Sequence, residues 1–210
     1  MLYVYKDKKE ITLKLIIDFA DSKNENLEIK YKYIVFTGDG RNEIRILKEL
    51  CNRFNGLNKI IWFPGKPIKK ETGLGALKAV RIFPSLGYGS IFFMVNGEHI
   101  IKDTESEIQN KLKPFGVRVD EITRIQDAFF IKCGFSNYNI NLFCVISGPK
   151  ICIEEEIAKL IKFELNIEIN IIRSCKLIMR EIKDVLREKN LDLEQLLITT
   201  NLTKFKKHME

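Results

Sequence analysis

Apolar and polar positions alternate most clearly from Tyr31 onward. "YIVFT" is a β-branched and aromatic run that predicts a strand. "RNEIRILKELCNRFNG" follows, with Ile44, Leu47, Leu50, Cys51 and Phe54 recurring at helical spacing and Gly56 where a C-terminal cap belongs. "NKIIWFPG" reads as a second strand ended by Pro64 and Gly65. "ETGLGALKAVRIF" reads as a helix through Leu74, Leu77, Val80 and Arg81, weakened by two glycines and stopped at Pro84. "GSIFFMVNGEHI" is the most apolar run and suits a strand buried on both faces. "DTESEIQNKLKPFG" predicts a helix opened by Asp103 or Thr104 and closed near Pro114. "VRVDEI", "DAFFIKCGF" and "INLFCVISG" add strands, the last two as a hairpin across "SNYN".

After Pro149 the pattern turns wholly helical. "IEEEIAKLIKFEL", "IRSCKLIMREIKDVLREKN" and "LDLEQLLITTNLTKFKKHME" each space their apolar residues by three and four, with Asn190 as a cap or turn residue before Leu191. Strand–helix alternation from residue 31 to about 120 predicts an α/β domain with a mainly parallel sheet flanked by helices. The expected division is an N-terminal extension at 1–30, the α/β domain at 31–149 and a helical C-terminal region at 150–210. The extension is weakly patterned, and its "EITLKLIIDFADSKNE" fits a short helix or a strand.

Composition narrows the class. With 45% hydrophobic and 30% charged residues in 210, the chain reads as a globular protein of one good-sized domain with an appendage. It has neither an apolar run of membrane-spanning length nor a secretory leader pattern, so a cytoplasmic protein without a membrane partner is expected. Five cysteines without a CxxC pair suggest free, mostly buried thiols, and with His99 and His208 as the only histidines zinc is not expected. The net charge of +7 suits either attraction to a polyanion such as nucleic acid or a Lys/Glu-rich solvated surface.

Ligands in open α/β sheets gather outside the carboxyl ends of the strands. Two polar loops belong there, Gly38-Asp39-Gly40-Arg41-Asn42-Glu43 and Asn96-Gly97-Glu98-His99. If their strands are parallel neighbours, Asp39, Glu43, Asn96 and Glu98 converge as oxygen ligands suited to a hard cation such as Mg²⁺. A plainer reading is also open, in which Gly38 and Gly40 allow positive φ, Asp39 caps the helix and Asn96-Gly97 is an ordinary turn.

"IVFTGDGRNEIRIL" resembles the first motif of Toprim domains, found in primases, topoisomerases and overcoming-lysogenization-defect nucleases: an apolar strand, an acid-glycine pair and a second acid opening a helix. "FFMVNGEH" resembles their second motif, an apolar strand ending in acid-x-acid. The resemblance spans roughly residues 31–130. It implies a nucleic-acid-acting protein, with Mg²⁺-dependent phosphodiester cleavage or transfer as the reaction. Asp39 matches the family's general acid or base, Glu43 its second acid, and Asn96 and Glu98 its metal-holding pair. Asp39 is shorter than the family's glutamate and Asn96 is neutral. Those departures suit the alternative, a non-catalytic nucleic-acid-binding or protein-assembly module on the same fold. Lys66, Lys69 and Lys70 in "FPGKPIKKETGLG", with Arg41, are the candidate phosphate contacts. That loop lacks the GK[ST] ending of a P-loop. His99 reads as a surface or loop histidine, and the C-terminal helices are a candidate homo-oligomer surface.

Overall fold

The computed structural model describes residues 33–54, 61–68, 70–100, 103–125, 128–147, 152–172 and 174–199. The 1–30 extension, the Gly56 cap, Lys69 and the end of the last helical segment lie outside them. The strands are β1 (Tyr33–Thr37), β2 (Ile61–Gly65), β3 (Ser90–Asn96), β4 (Arg118–Ile125), β5 (Ala128–Phe135) and β6 (Tyr138–Ser147). They form one sheet in the order β2-β1-β3-β6-β5-β4. The first four of that order are parallel, with β1 bonded to β3 through Thr37↔Met94 and β3 to β6 through Asn96↔Ser147. β5 and β4 continue antiparallel, and β5 meets β6 at the expected hairpin, where Ser136 takes a φ of 51°.

One face of the sheet carries Ile34, Phe36, Ile91, Phe93, Val95, Ile131, Leu142 and Cys144, all essentially buried. Against them pack Leu74, Leu77, Val80 and Phe83, together with Ile108 and Leu112 of α2 (Thr104–Leu112). Residues Gly73–Arg81 form a 3₁₀ helix rather than the expected α-helix. Leu74, Leu77 and Val80 recur at intervals of three, and three residues per turn puts them all on the sheet side. β3 is covered on both faces, as expected, but unequally: on the other face Met94 packs against Leu47, Cys51 and Phe63 and Asn96 is buried, while Phe92 and Met94 remain half-buried. Asp103 caps α2 as expected, accepting a hydrogen bond from the Glu105 N–H at 3.3 Å.

On the second face lies α1 (Arg41–Phe54). Its Ile44, Leu47 and Cys51 pack with Val35, Phe63 and Met94 of the sheet, while Ile46 joins a separate core with the C-terminal helices. These are α3 (Ile153–Leu165), α4 (Cys175–Glu188) and α5 (Leu193–Thr199). Ile157, Ile161, Ile178, Ile182, Leu186 and Leu196 fill the space between them. α5 opens with reciprocal capping: the Gln195 N–H donates to Asp192 Oδ1 at 2.7 Å and the Asp192 N–H to Gln195 Oε1 at 2.9 Å. The α1 residue Arg45 pairs with Glu194 of α5 at 3.1 Å. Among the described residues, no helix is long and apolar enough to cross a membrane.

Candidate functional site

The chain leaves β1 for α1 on one face and reaches β3 from the 3₁₀ helix on the other. The crevice between the carboxyl ends of β1 and β3 is therefore the point where the strand order reverses, the favoured ligand position of such sheets. Thr37 closes the end of β1. Its hydroxyl donates to the Met94 carbonyl at 3.0 Å and accepts the Asp39 N–H at 3.0 Å. Gly38 and Gly40 do not take positive φ; Gly65, Gly73, Gly87 and Gly116 do. Gly38 is needed for close approach, because a Cβ there would strike the Gly73 carbonyl. Gly73, at φ 53°, lies so close to the His99 ring that a Cβ would come within 2.5 Å of it.

That backbone packing turns Asp39 inward instead of onto the helix end as a cap. The residue is only 4% exposed. Oδ2 accepts the Asn96 N–H at 2.7 Å. Oδ1 lies 2.8 Å from His99 Nε2, but the ring is not aligned to donate, so this buried oxygen has no hydrogen-bond partner. Burial raises the Asp39 carboxyl from 3.8 to about 6; the Asn96 N–H and His99 oppose that rise, and the charges of Glu43 and Glu98 add to it.

Asn96 joins three elements. Its Nδ2 donates to Glu43 Oε1 at 2.6 Å, and its Oδ1 accepts from Ser147 Oγ at 2.9 Å and from the Ile153 N–H at 3.2 Å. A backbone N–H can only donate, so the amide is oriented with its oxygen toward α3 and its nitrogen toward the acids. The carbonyl expected to face a cation is thus turned away, with both acceptor positions engaged.

These groups line a cleft of about 420 Å³. Asp39, Arg41, Glu43, Lys66, Asn96 and Glu98 all border it, so most of the residues singled out in the sequence come together. Lys70 is exposed and does not border the cleft. Lys69 is outside the described residues.

Sequence reasoning passed over four residues that line the same cleft. His99 is not a free surface histidine: its Nε2 approaches both Asp39 and, at 3.6 Å, Glu98 Oε1. Glu154, in the first turn of α3, is 4% exposed and accepts from Asn42 Nδ2 at 2.7 Å. Its carboxyl is raised, chiefly by burial, against the lowering effect of Asn42. Cys152 and Cys175 are joined as a disulfide, with Cα atoms 6.2 Å apart, in place of the expected free thiols. Cys51, Cys133 and Cys144 do fit that expectation, being free and buried with their thiols pushed up to about 12. The signal for Glu154 was "IEEE", directly after a strand whose carboxyl end shares the edge with β1 and β3.

Comparison of the chain with models of protein families, with curated proteins and with solved structures gives no match.

Proposed function

We propose that the cleft is a Toprim-like site that acts on nucleic acid through a magnesium ion held by Asp39, Glu43 and Glu98. The observation that carries this reading is Asp39 Oδ1, a buried carboxylate oxygen without a hydrogen-bond partner, in a cleft also bordered by Glu43, Glu98 and Glu154. Leaving such an oxygen unsatisfied costs free energy, and cation ligation is one way to recover it. A magnesium ion bound there would polarise a phosphoryl oxygen. Without a cation, burial raises Asp39 to about 6, so a proton and a cation compete for Oδ1, with His99 Nε2 beside it at 2.8 Å. Arg41 and Lys66 border the cleft and supply positive charge for phosphate oxygens.

One observation favours the second reading, a non-catalytic nucleic-acid-binding or assembly module. The Asn96 amide satisfies Glu43 internally and leaves the cluster one carboxylate short of the acid-x-acid pattern. Ile172, ahead of α4, and Leu177, in its first turn, are exposed apolar side chains available for assembly.

Purified protein assayed with and without Mg²⁺ on DNA and RNA separates the two. Glu98→Gln keeps shape and removes charge, so it should abolish Mg²⁺-dependent cleavage and leave salt-sensitive background binding intact. Lys66→Ala should weaken binding generally and lower the salt slope by about one. Cleavage by Glu98→Gln at the wild-type rate would remove the first reading, and no cleavage of any substrate by the wild type would leave the second.

A further inference from the structure

Cys152 lies between β6 and α3, and Cys175 opens α4, so their disulfide joins the amino ends of two helices at the cleft wall. Glu154 stands beside them. Asn42 donates to its Oε1, while its Oε2 is buried and has no hydrogen-bond partner. One ligand atom from each of Cys152, Glu154 and Cys175 lies within 4.8 Å of the other two.

We propose that reduction of this disulfide creates a site for a thiophilic divalent cation of the zinc class, held by Cys152, Cys175 and Glu154. Two thiolates and one carboxylate form a three-ligand set that leaves a fourth position for water or substrate. Thiolates in a tetrahedral site with bonds of ~2.3 Å stand about 3.8 Å apart. Residues whose Cα atoms are 6.2 Å apart can reach that separation. Asn42 holds the carboxylate through Oε1 and leaves Oε2 without a partner, the part a hydrogen-bonding neighbour plays around metal ligands. Magnesium prefers an all-oxygen shell, so sulfur selects against the ion proposed for the neighbouring acids. The oxidised pair offers no thiolate, which makes the site available only under reducing conditions.

The redox step uses two equivalents of a low-molecular-weight thiol. Cys152 is buried and Cys175 partly accessible, so the first thiolate attacks the Cys175 sulfur, forms a mixed disulfide and releases Cys152 as a thiolate. The second attacks the external sulfur, releases the Cys175 thiolate and leaves as the oxidised external disulfide. Two electrons pass to the protein. Cation binding then holds both sulfurs as thiolates, and their protons go to solvent.

The test titrates Co²⁺ into the full chain in excess Mg²⁺, before and after treatment with a phosphine reductant that is then removed. A thiolate-to-cobalt charge-transfer band should appear in the reduced protein, saturate at one cobalt per chain and be absent from the oxidised protein. Cobalt among Asp39, Glu43 and Glu98 has no sulfur ligand and gives no such band, so the result is independent of the magnesium reading. The Cys152→Ser/Cys175→Ser variant should lose the band. Glu154→Gln should keep it and bind cobalt at least tenfold more weakly. No band in reduced wild type, or an unchanged band in the double-serine variant, overturns the proposal. The oxidised and reduced wild-type arms share one chain, so the outcome does not depend on how a variant folds.

Discussion

The outer hairpin β4–β5 and the crevice between β1 and β3 both carry acids at the ends and edges of strands, yet they treat those acids in opposite ways. On the hairpin, Asp120 pairs with Arg118 at 2.6 Å and Glu121 with Lys132 at 2.7 Å, all in solvent. The partner's hydrogen bond lowers each carboxyl below its ordinary value. In the crevice no lysine or arginine pairs with Asp39 among the described contacts, and burial raises it instead. Exposed pairs contribute little because water already solvates both charges. A buried carboxylate whose only close basic neighbour among the described residues is His99 carries a desolvation cost, which marks a place where a proton or a cation binds.

Asn96→Asp should show the largest effect. It sets a second carboxylate against Glu43, where the amide now donates at 2.6 Å, and leaves Glu43 without that donor. In chelator the variant should lose roughly 2–4 kcal/mol, a fall in Tm of about 5–15 °C. Millimolar Mg²⁺ should restore most of it and bind more tightly than to wild type, as calorimetry would register. Equal affinity in both proteins would mean that residue 96 and the acids share no cation site.

The pH dependence of stability should be smaller. Asp39 titrates at 3.8 when unfolded and at about 6 when folded, so the folded state binds its proton more tightly. Its stabilisation is fully present below pH 3.8 and is lost as pH rises through 6. Relative to Asp39→Asn, wild type should therefore lose roughly 2–3 kcal/mol between pH 4 and pH 7 in chelator, measured by urea denaturation. Glu43, Glu98 and His99 face the same group, and their charges set the width of the transition. A constant difference between the two proteins would show that Asp39 is not held in a raised state.

The smallest effect belongs to the hairpin. Lys132→Ala removes the exposed partner of Glu121 and should leave Tm and any metal response unchanged. A clear loss would show that the hairpin pairs matter more than their exposure implies.

The strand–helix order, the parallel pairing of β1 with β3 and the meeting of Asp39 with Glu43 and Asn96 were legible because long apolar runs and polar loops repeat in register along the chain. Glu154 was not. Its loop reaches the crevice only because β6 pairs in parallel with β3, a contact between strands that are distant in sequence. The 3₁₀ form of Gly73–Arg81 was hidden because intervals of three in Leu74, Leu77 and Val80 barely differ from an α-helical period over three turns. His99 stood in a loop expected at that edge, but its approach to Asp39 had no signal, and the Cys152–Cys175 pair has no spacing that sets it apart; only the fold brings those partners together.

The most direct test of the crevice as a cation site is anomalous diffraction from crystals soaked in Mn²⁺. A peak within coordination distance of Asp39 Oδ1 and of carboxylate oxygens from Glu43 and Glu98 is the expected result, at about 2.0–2.3 Å for a hard divalent ion. An empty crevice with manganese bound elsewhere, or none bound at saturating concentration, would contradict it.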